Sequence, residues 1–185
     1  MQKLICILIL MTSLSLTGQT QQTYPLNVEK SVLNWKGTYA FQFSEHSGTV
    51  SFKEGQLHAE NGHLKSGRFI IDMNSITNED YERKQGPVKH LKDSDFFDVT
   101  KFPEAKLVIN KVTYFIDGNQ HKMEGQLTIK GISKPIEFWA TIDATTKIMH
   151  TRFKIDRRDW GIVYNNKLKN HSISDAIEFE AELFF

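Results

Sequence analysis

The closing stretch Ile173-Ser-Asp-Ala-Ile177-Glu-Phe179-Glu-Ala181-Glu-Leu183-Phe-Phe185 decides the fold class. Ile177, Phe179, Ala181, Leu183 and Phe185 recur at every second position, with Glu178, Glu180 and Glu182 between them. Successive side chains of a strand point to opposite faces, so this pattern predicts a strand with one dry face and one wet face. Upstream, Met149, Thr151, Phe153 and Ile155 alternate with His150, Arg152 and Lys154. Ile136, Phe138, Ala140 and Ile142 repeat the rhythm, as do Met123, Gly125, Leu127 and Ile129.

Turn chemistry separates these runs at Asp117-Gly118-Asn119, Lys130-Gly131-Ile132-Ser133 and Asp143-Ala144-Thr145-Thr146. Connections this short join antiparallel neighbours. Less regular strands read at 31–36, 38–44, 48–53, 56–60 and 66–73, with a longer one at 105–116. The segment 87–98 does not alternate and is bracketed by Gly86-Pro87 and Phe102-Pro103. It reads as one or two short helical turns with Val88, Leu91 and Phe96 on the buried side. Eight to ten strands with no helical crossovers give an all-β domain, either a closed barrel or a sandwich. A membrane barrel would need an apolar outer band, and the charges at 152, 154, 178, 180 and 182 belong in water instead.

The chain begins MQKLICILILMTSLSLTGQTQQ, with Lys3, an apolar run from Leu4 to Met11, and small residues after it. This is the layout of a secretory signal peptide over residues 1–18, with cleavage at about 18–20. No later run is long and apolar enough to span a bilayer as a helix. Cys6, the single cysteine, lies inside the apolar run and leaves with it, so a packed core must supply stability without disulfides. Loss of Lys3 brings 23 basic and 22 acidic side chains to 22 of each. A balanced charge with no basic run offers no footprint for nucleic acid. The remaining 167 residues read as one domain, with no linker and no repeat beyond the hairpin rhythm.

Few residues suggest chemistry. The histidines at 46, 58, 63, 90, 121, 150 and 171 lack the paired spacing of a metal site, so no metal and no cofactor is expected. They read as solvated or outward-facing, with His90 set apart by its place in the non-strand segment. Asp93, Asp95 and Asp98 resemble paired carboxylates, but Ser94 or Asp93 as a helix cap is the simpler reading. Asp156-Arg157-Arg158-Asp159 reads as a strand-end charge cluster, with an ion-paired latch across a barrel mouth as the alternative. Thirteen phenylalanines against three tryptophans suit a dry core or a dry cavity wall.

Four collinear runs together resemble the YceI-like, lipid- and polyisoprenoid-binding family. They are His90-Leu-Lys-Asp-Ser-Asp-Phe-Phe-Asp-Val99 with Phe102-Pro103; Gly125-Gln-Leu-Thr-Ile-Lys-Gly-Ile-Ser-Lys-Pro-Ile136; Phe153-Lys-Ile-Asp-Arg-Arg-Asp-Trp-Gly-Ile162; and Ile173-Ser-Asp-Ala-Ile177. The resemblance covers the domain at 24–185 and implies an extended, antiparallel, eight-stranded or slightly larger lipocalin-like barrel with a long apolar interior. It also implies export, to a periplasm or beyond the cell, and a bound isoprenoid or similar long-chain lipid. Members often carry a basic residue three positions before the His of the His-Leu pair, where this chain has Pro87.

The expected function is therefore an exported carrier of an apolar, lipid-like molecule, and not an enzyme. Phe41, Phe43, Phe69, Ile71, Leu127, Ile129, Phe138, Phe153, Ile155, Ile177 and Phe179 are expected to line its interior; for His90 a structural role, bonding a backbone carbonyl, is the favoured reading, and contact with a head group at the mouth the alternative. An enzyme acting on a lipid-like substrate, and a filled barrel serving as an interaction domain, are the alternatives. The oligomeric state is left open. Intact-mass measurement of the protein from its natural host should show a chain shortened by 18–20 residues; a retained Met1 in the exported pool overturns the signal peptide.

Overall fold

A computed structural model describes residues 20–39, 45–78, 86–163 and 173–185. The described elements run β1 (Gln21–Pro25), β2 (Val32–Tyr39), β3 (Glu45–Glu60), β4 (His63–Asp72), α1 (Gly86–Lys92), β5 (Glu104–Phe115), β6 (Gln120–Ile129), β7 (Ile132–Asp143), β8 (Ile148–Asp156) and β9 (Ile173–Phe184). Residues 73–75, 117–119 and 157–160 form short 3-10 turns.

The hairpins follow from local backbone chemistry. Lys130 and Gly131 take φ of 51° and 75°, and Ile129 pairs directly with Ile132 across them. A two-residue turn with both φ positive has the twist that antiparallel strands require. Asn61 and Gly62, at φ 51° and 77°, make the equivalent turn between β3 and β4.

Each strand from β4 to β9 pairs antiparallel with the next, β9 pairs with β2, β2 with β3, and β3 with β4. The sheet thus closes into an eight-stranded antiparallel barrel, and β1 adds to it by pairing with Gln56–Glu60. The sequence suggests separate strands at 48–53 and 56–60, but β3 is continuous. A bulge at Lys53 explains the difference: Val50 and Phe52 are buried before it, and Leu57 and Ala59 after it. One extra residue switches which parity faces inward, which breaks the alternation without breaking the strand. The expected strand at 38–44 overlaps the end of β2, and residues 40–44 lie outside the described ones.

The inner face carries the core, including Leu127, Ile129, Phe138, Phe153, Ile155, Ile177, Phe179 and Leu183. Glu178 faces outward, where Arg152 and Lys154 on the neighbouring strand pair with it. The helical segment is present as α1, followed by a turn that buries Phe96, Phe97 and Val99. Asp93 and Ser94 do not start this helix, as the capping expectation required; they follow its last residue. There the Asp93 carbonyl accepts hydrogen bonds from the backbone N–H groups of Phe96 and Asp98.

At Gly125 the β6 backbone lies close against β5: a Cβ there would meet the Val108 carbonyl oxygen at 2.1 Å. Gly125→Ala is expected to destabilise the protein by about 1–3 kcal/mol, because backbone must move to make room. Gly37→Ala, whose Cβ would meet nothing within 4 Å, serves as the control and should be nearly neutral. Urea unfolding of the two variants checks both.

Candidate ligand cavity

Inward-facing phenylalanines on adjacent strands build the centre of the barrel. Phe153 on β8 lies opposite Phe179 on β9, their ring centroids 5.6 Å apart. Phe138 on β7 stacks on the other side of Phe153 at 5.0 Å. Beside this aromatic row lies a cavity of about 140 Å³. Its wall is formed by every strand from β2 to β9, and by Leu91, Phe96 and Phe97 from α1 and the turn after it.

Almost all of that wall is carbon. The polar side chains bordering it belong to His46, Thr151, Arg157 and Ser174. The Thr151 hydroxyl donates to the Trp139 carbonyl oxygen at 2.7 Å, so it presents no open donor to the cavity.

Arg157 is the exceptional member, a guanidinium only 3% exposed. It donates to the carbonyl oxygens of Ile162 at 2.6 Å and Ser174 at 3.3 Å, and to Asp175 Oδ1 at 2.8 Å. The Phe96 ring lies under it at 5.9 Å. Burial pulls its pKa below the usual guanidinium value, against the attraction of Asp175 and Asp156. A buried charge persists only when its donors are satisfied, and here the donors tie the turn after β8 to the start of β9. Trp160 in the same turn is buried and donates from Nε1 to the Leu127 carbonyl oxygen at 3.0 Å.

Arg158 points the other way, 57% exposed, and pairs with Asp156 and Asp175. The charge cluster is therefore split, one arginine inside and one outside, and its ion pairs latch the turn after β8 to the start of the neighbouring β9 without crossing the mouth. Asp156 also accepts from the Arg158 backbone N–H and so caps the 3-10 turn.

Of the residues expected to line the interior, Phe69, Ile71, Leu127, Ile129, Phe138, Phe153, Ile177 and Phe179 border the cavity. Ile155 is buried in the same core without bordering it. Phe41 and Phe43 lie outside the described residues. His90 is exposed on α1 and is not part of the wall; its neighbour Leu91 is. His46 and His121 depart from the outward expectation, since His46 borders this cavity and His121 is half-buried at the far end of the barrel. Trp35, His46, Leu91 and Arg157 are wall residues that the sequence reading missed. Gly161, which ends the turn that carries Arg157, takes φ 68°.

A closed antiparallel barrel with a carbon-walled interior is a lipocalin-like barrel in architecture. The chain belongs to the YceI-like domain family, whose model matches residues 24–185. A UPF0312 protein of Pseudomonas putida is 28% identical over 152 residues, covering 80% of this chain and 76% of that protein. A UPF0312 protein of Pectobacterium atrosepticum is 29% identical over 100 residues, 54% of this chain, and the match spans only 46% of that relative's length. Among solved structures, BcnA of Burkholderia cenocepacia superposes with a TM-score of 0.69, covering 85% of this chain and 98% of that one. At 18% identity that likeness concerns the fold.

The latch has a pH signature. The Arg158 hydrogen bonds beside it hold the Asp156 carboxyl at about 2, below its ordinary 3.8. A carboxylate with a depressed folded-state pKa adds stability above its unfolded value, and that addition is lost as pH falls through the folded one. The Tm difference between the parent and Asp156→Asn, which keeps the capping oxygen, should be constant above pH ~5, shrink as pH falls through about 2 and vanish near pH ~1. Thermal unfolding across that range checks it; a difference of undiminished size at pH ~1 assigns the effect to something other than the charge.

Proposed function

We propose that the protein holds an apolar, lipid-like chain in the barrel interior and performs no chemistry on it. The observation that carries this reading is the wall itself, built almost entirely of aromatic and aliphatic carbon. Dry cavities of about 150 Å³ accept a benzene-sized guest. A longer chain must therefore displace side chains of the wall. Each methylene removed from water contributes about 0.8 kcal/mol, so ten carbons supply roughly 8 kcal/mol before association costs.

The same reading places the protein outside the cytoplasm, in a periplasm or beyond the cell. Its support is the leader-like sequence at 1–18 together with membership of the YceI-like family. No helix among the described residues is long and apolar enough to cross a membrane.

The test is mass spectrometry of lipid extracted from the purified protein and from two variants. Phe138 is 2% exposed against Phe153, so Phe138→Asp sets a carboxylate where the chain would lie. Desolvating that group is costly, and retained lipid should fall several-fold while the fold persists by circular dichroism. His90→Ala, outside the wall, should retain the parent's complement. A folded Phe138→Asp protein carrying its full complement of lipid overturns the assignment.

A further inference from the structure

The hairpin that joins β5 to β6, at the end of the barrel opposite α1, loses its polar face at the tip. β5 closes on Tyr114, which packs against His121 with ring centroids 4.8 Å apart, and on Phe115, which turns to the other face. Ile116 carries the run into the turn. All three are exposed, Tyr114 by 50%, Phe115 by 42% and Ile116 by 81%. Three consecutive aromatic or aliphatic side chains in water are unfavourable in a hairpin tip unless something covers them. The neighbouring turns at this end, Asn61-Gly62 and Asp143–Lys147, are mostly polar.

Trp139 extends this surface along the outside of the wall. It is 44% exposed, and its ring lies 5.2 Å from that of Phe115. Phe115 pairs with Gln120, and Gln120 with Thr141. Trp139 therefore stands two residues, about 7 Å, further from the tip than Phe115. The Tyr114 hydroxyl and the Trp139 indole N–H have no hydrogen-bond partner among the described residues. Rings with an apolar body and a polar handle settle where hydrocarbon meets water. The surface is thus graded, with Ile116 foremost, Tyr114 and Phe115 behind it, and the Trp139 indole last.

Four side chains fall far short of the roughly 20–30 residues a side that a stable protein interface uses. A bilayer sets no such minimum, because shallow insertion needs only apolar groups that reach about 5–10 Å into the boundary between headgroups and acyl chains. The charges at this end are mixed, Lys65 and Lys147 against Asp117 and Asp143, so nothing there selects an anionic headgroup. We propose that the β5–β6 tip is a membrane-docking surface. Tyr114, Phe115 and Ile116 enter the interface of a lipid bilayer, Trp139 lies at headgroup level, and apolar burial drives the contact whatever the headgroup charge. This assignment goes beyond the reading of the barrel interior, since none of the four residues borders the first cavity.

The probe is a phosphatidylcholine vesicle with brominated acyl chains, mixed at millimolar lipid with the purified full chain. Bromine quenches only tryptophans that reach the bilayer. This matters because Leu4–Met11 can bind a vesicle by itself, and that stretch contains no tryptophan. Tryptophan emission should be quenched, and Trp139→Phe should remove most of the quenching while Trp35 and Trp160 still emit. The double variant Phe115→Ser, Ile116→Ser should need about tenfold more lipid for half-maximal quenching. Ile116→Ser alone, at the most exposed position, should need about two- to threefold more and covers the case in which the double variant misfolds. Replacing half of the lipid by phosphatidylglycerol should not strengthen the effect. No quenching on phosphatidylcholine, quenching confined to the anionic vesicles, or parent-like quenching in a folded tip variant each overturn the proposal. So does a dimer in sedimentation that the tip variant dissolves while vesicles leave Trp139 unquenched, which assigns the surface to a second copy. Lipid retained by the tip variant is measured in parallel and reads the first cavity separately.

Discussion

The barrel depends on β3 being paired along both edges. A strand buried in a sheet must place every backbone N–H and C=O against a partner, and a sheet left open exposes a row of them. In β3, Glu45–Val50 meets β2, Ser51–Glu60 meets β4, and Gln56–Glu60 meets β1 as well. This arrangement turns an open meander into a closed wall and makes an interior. The bulges at Lys53 and in β5 between Ile109 and Lys111 belong to the same constraint, since they bend strands that would otherwise run too straight to close. The cost appears where backbones crowd, as at Gly125, where only hydrogen fits.

The C-terminal half was legible because nothing interrupts its parity. Across Met123–Ile129, Ile136–Ile142, Met149–Ile155 and Ile177–Leu183, the apolar residues that alternate in sequence are those that share the core. The N-terminal part was harder to read for the opposite reason. Beyond Lys53 the inward set moves from even to odd positions, and a period-two reading then sees two short strands where one long one exists. A local signal was present in Asn61-Gly62, the turn that fixes the β3–β4 hairpin whatever the strands on either side look like.

The site was legible to a different depth. Phenylalanines at inward parity identify the wall without saying whether the space between them is filled, because packing is a property of three dimensions. Arg157 was hidden by its company. Two acids and two arginines in succession look like a solvated surface, and only the fold reveals that neighbours in sequence stand on opposite sides of the wall. The outer arginine contributes little, as exposed pairs do. The inner one is satisfied by carbonyls that β9 and the segment after Trp160 bring to it, so its burial depends on the C-terminal strand being in place.

That dependence has a kinetic side. The seam between β2 and β9 joins residues far apart in the chain, and the Phe184 N–H bonds the Ser31 hydroxyl oxygen across 153 positions. Hairpins from β5 to β8 can form between neighbours, but this seam must wait for the last strand and for the loop entropy of bringing the ends together. Until it does, β2 and β8 each keep an unpaired edge beside a half-open apolar face, the kind of species that associates with its own copies. A polypeptide built this way benefits from meeting few such copies while it folds, so its demand on chaperoning should concentrate in the interval before Ile173–Phe184 docks.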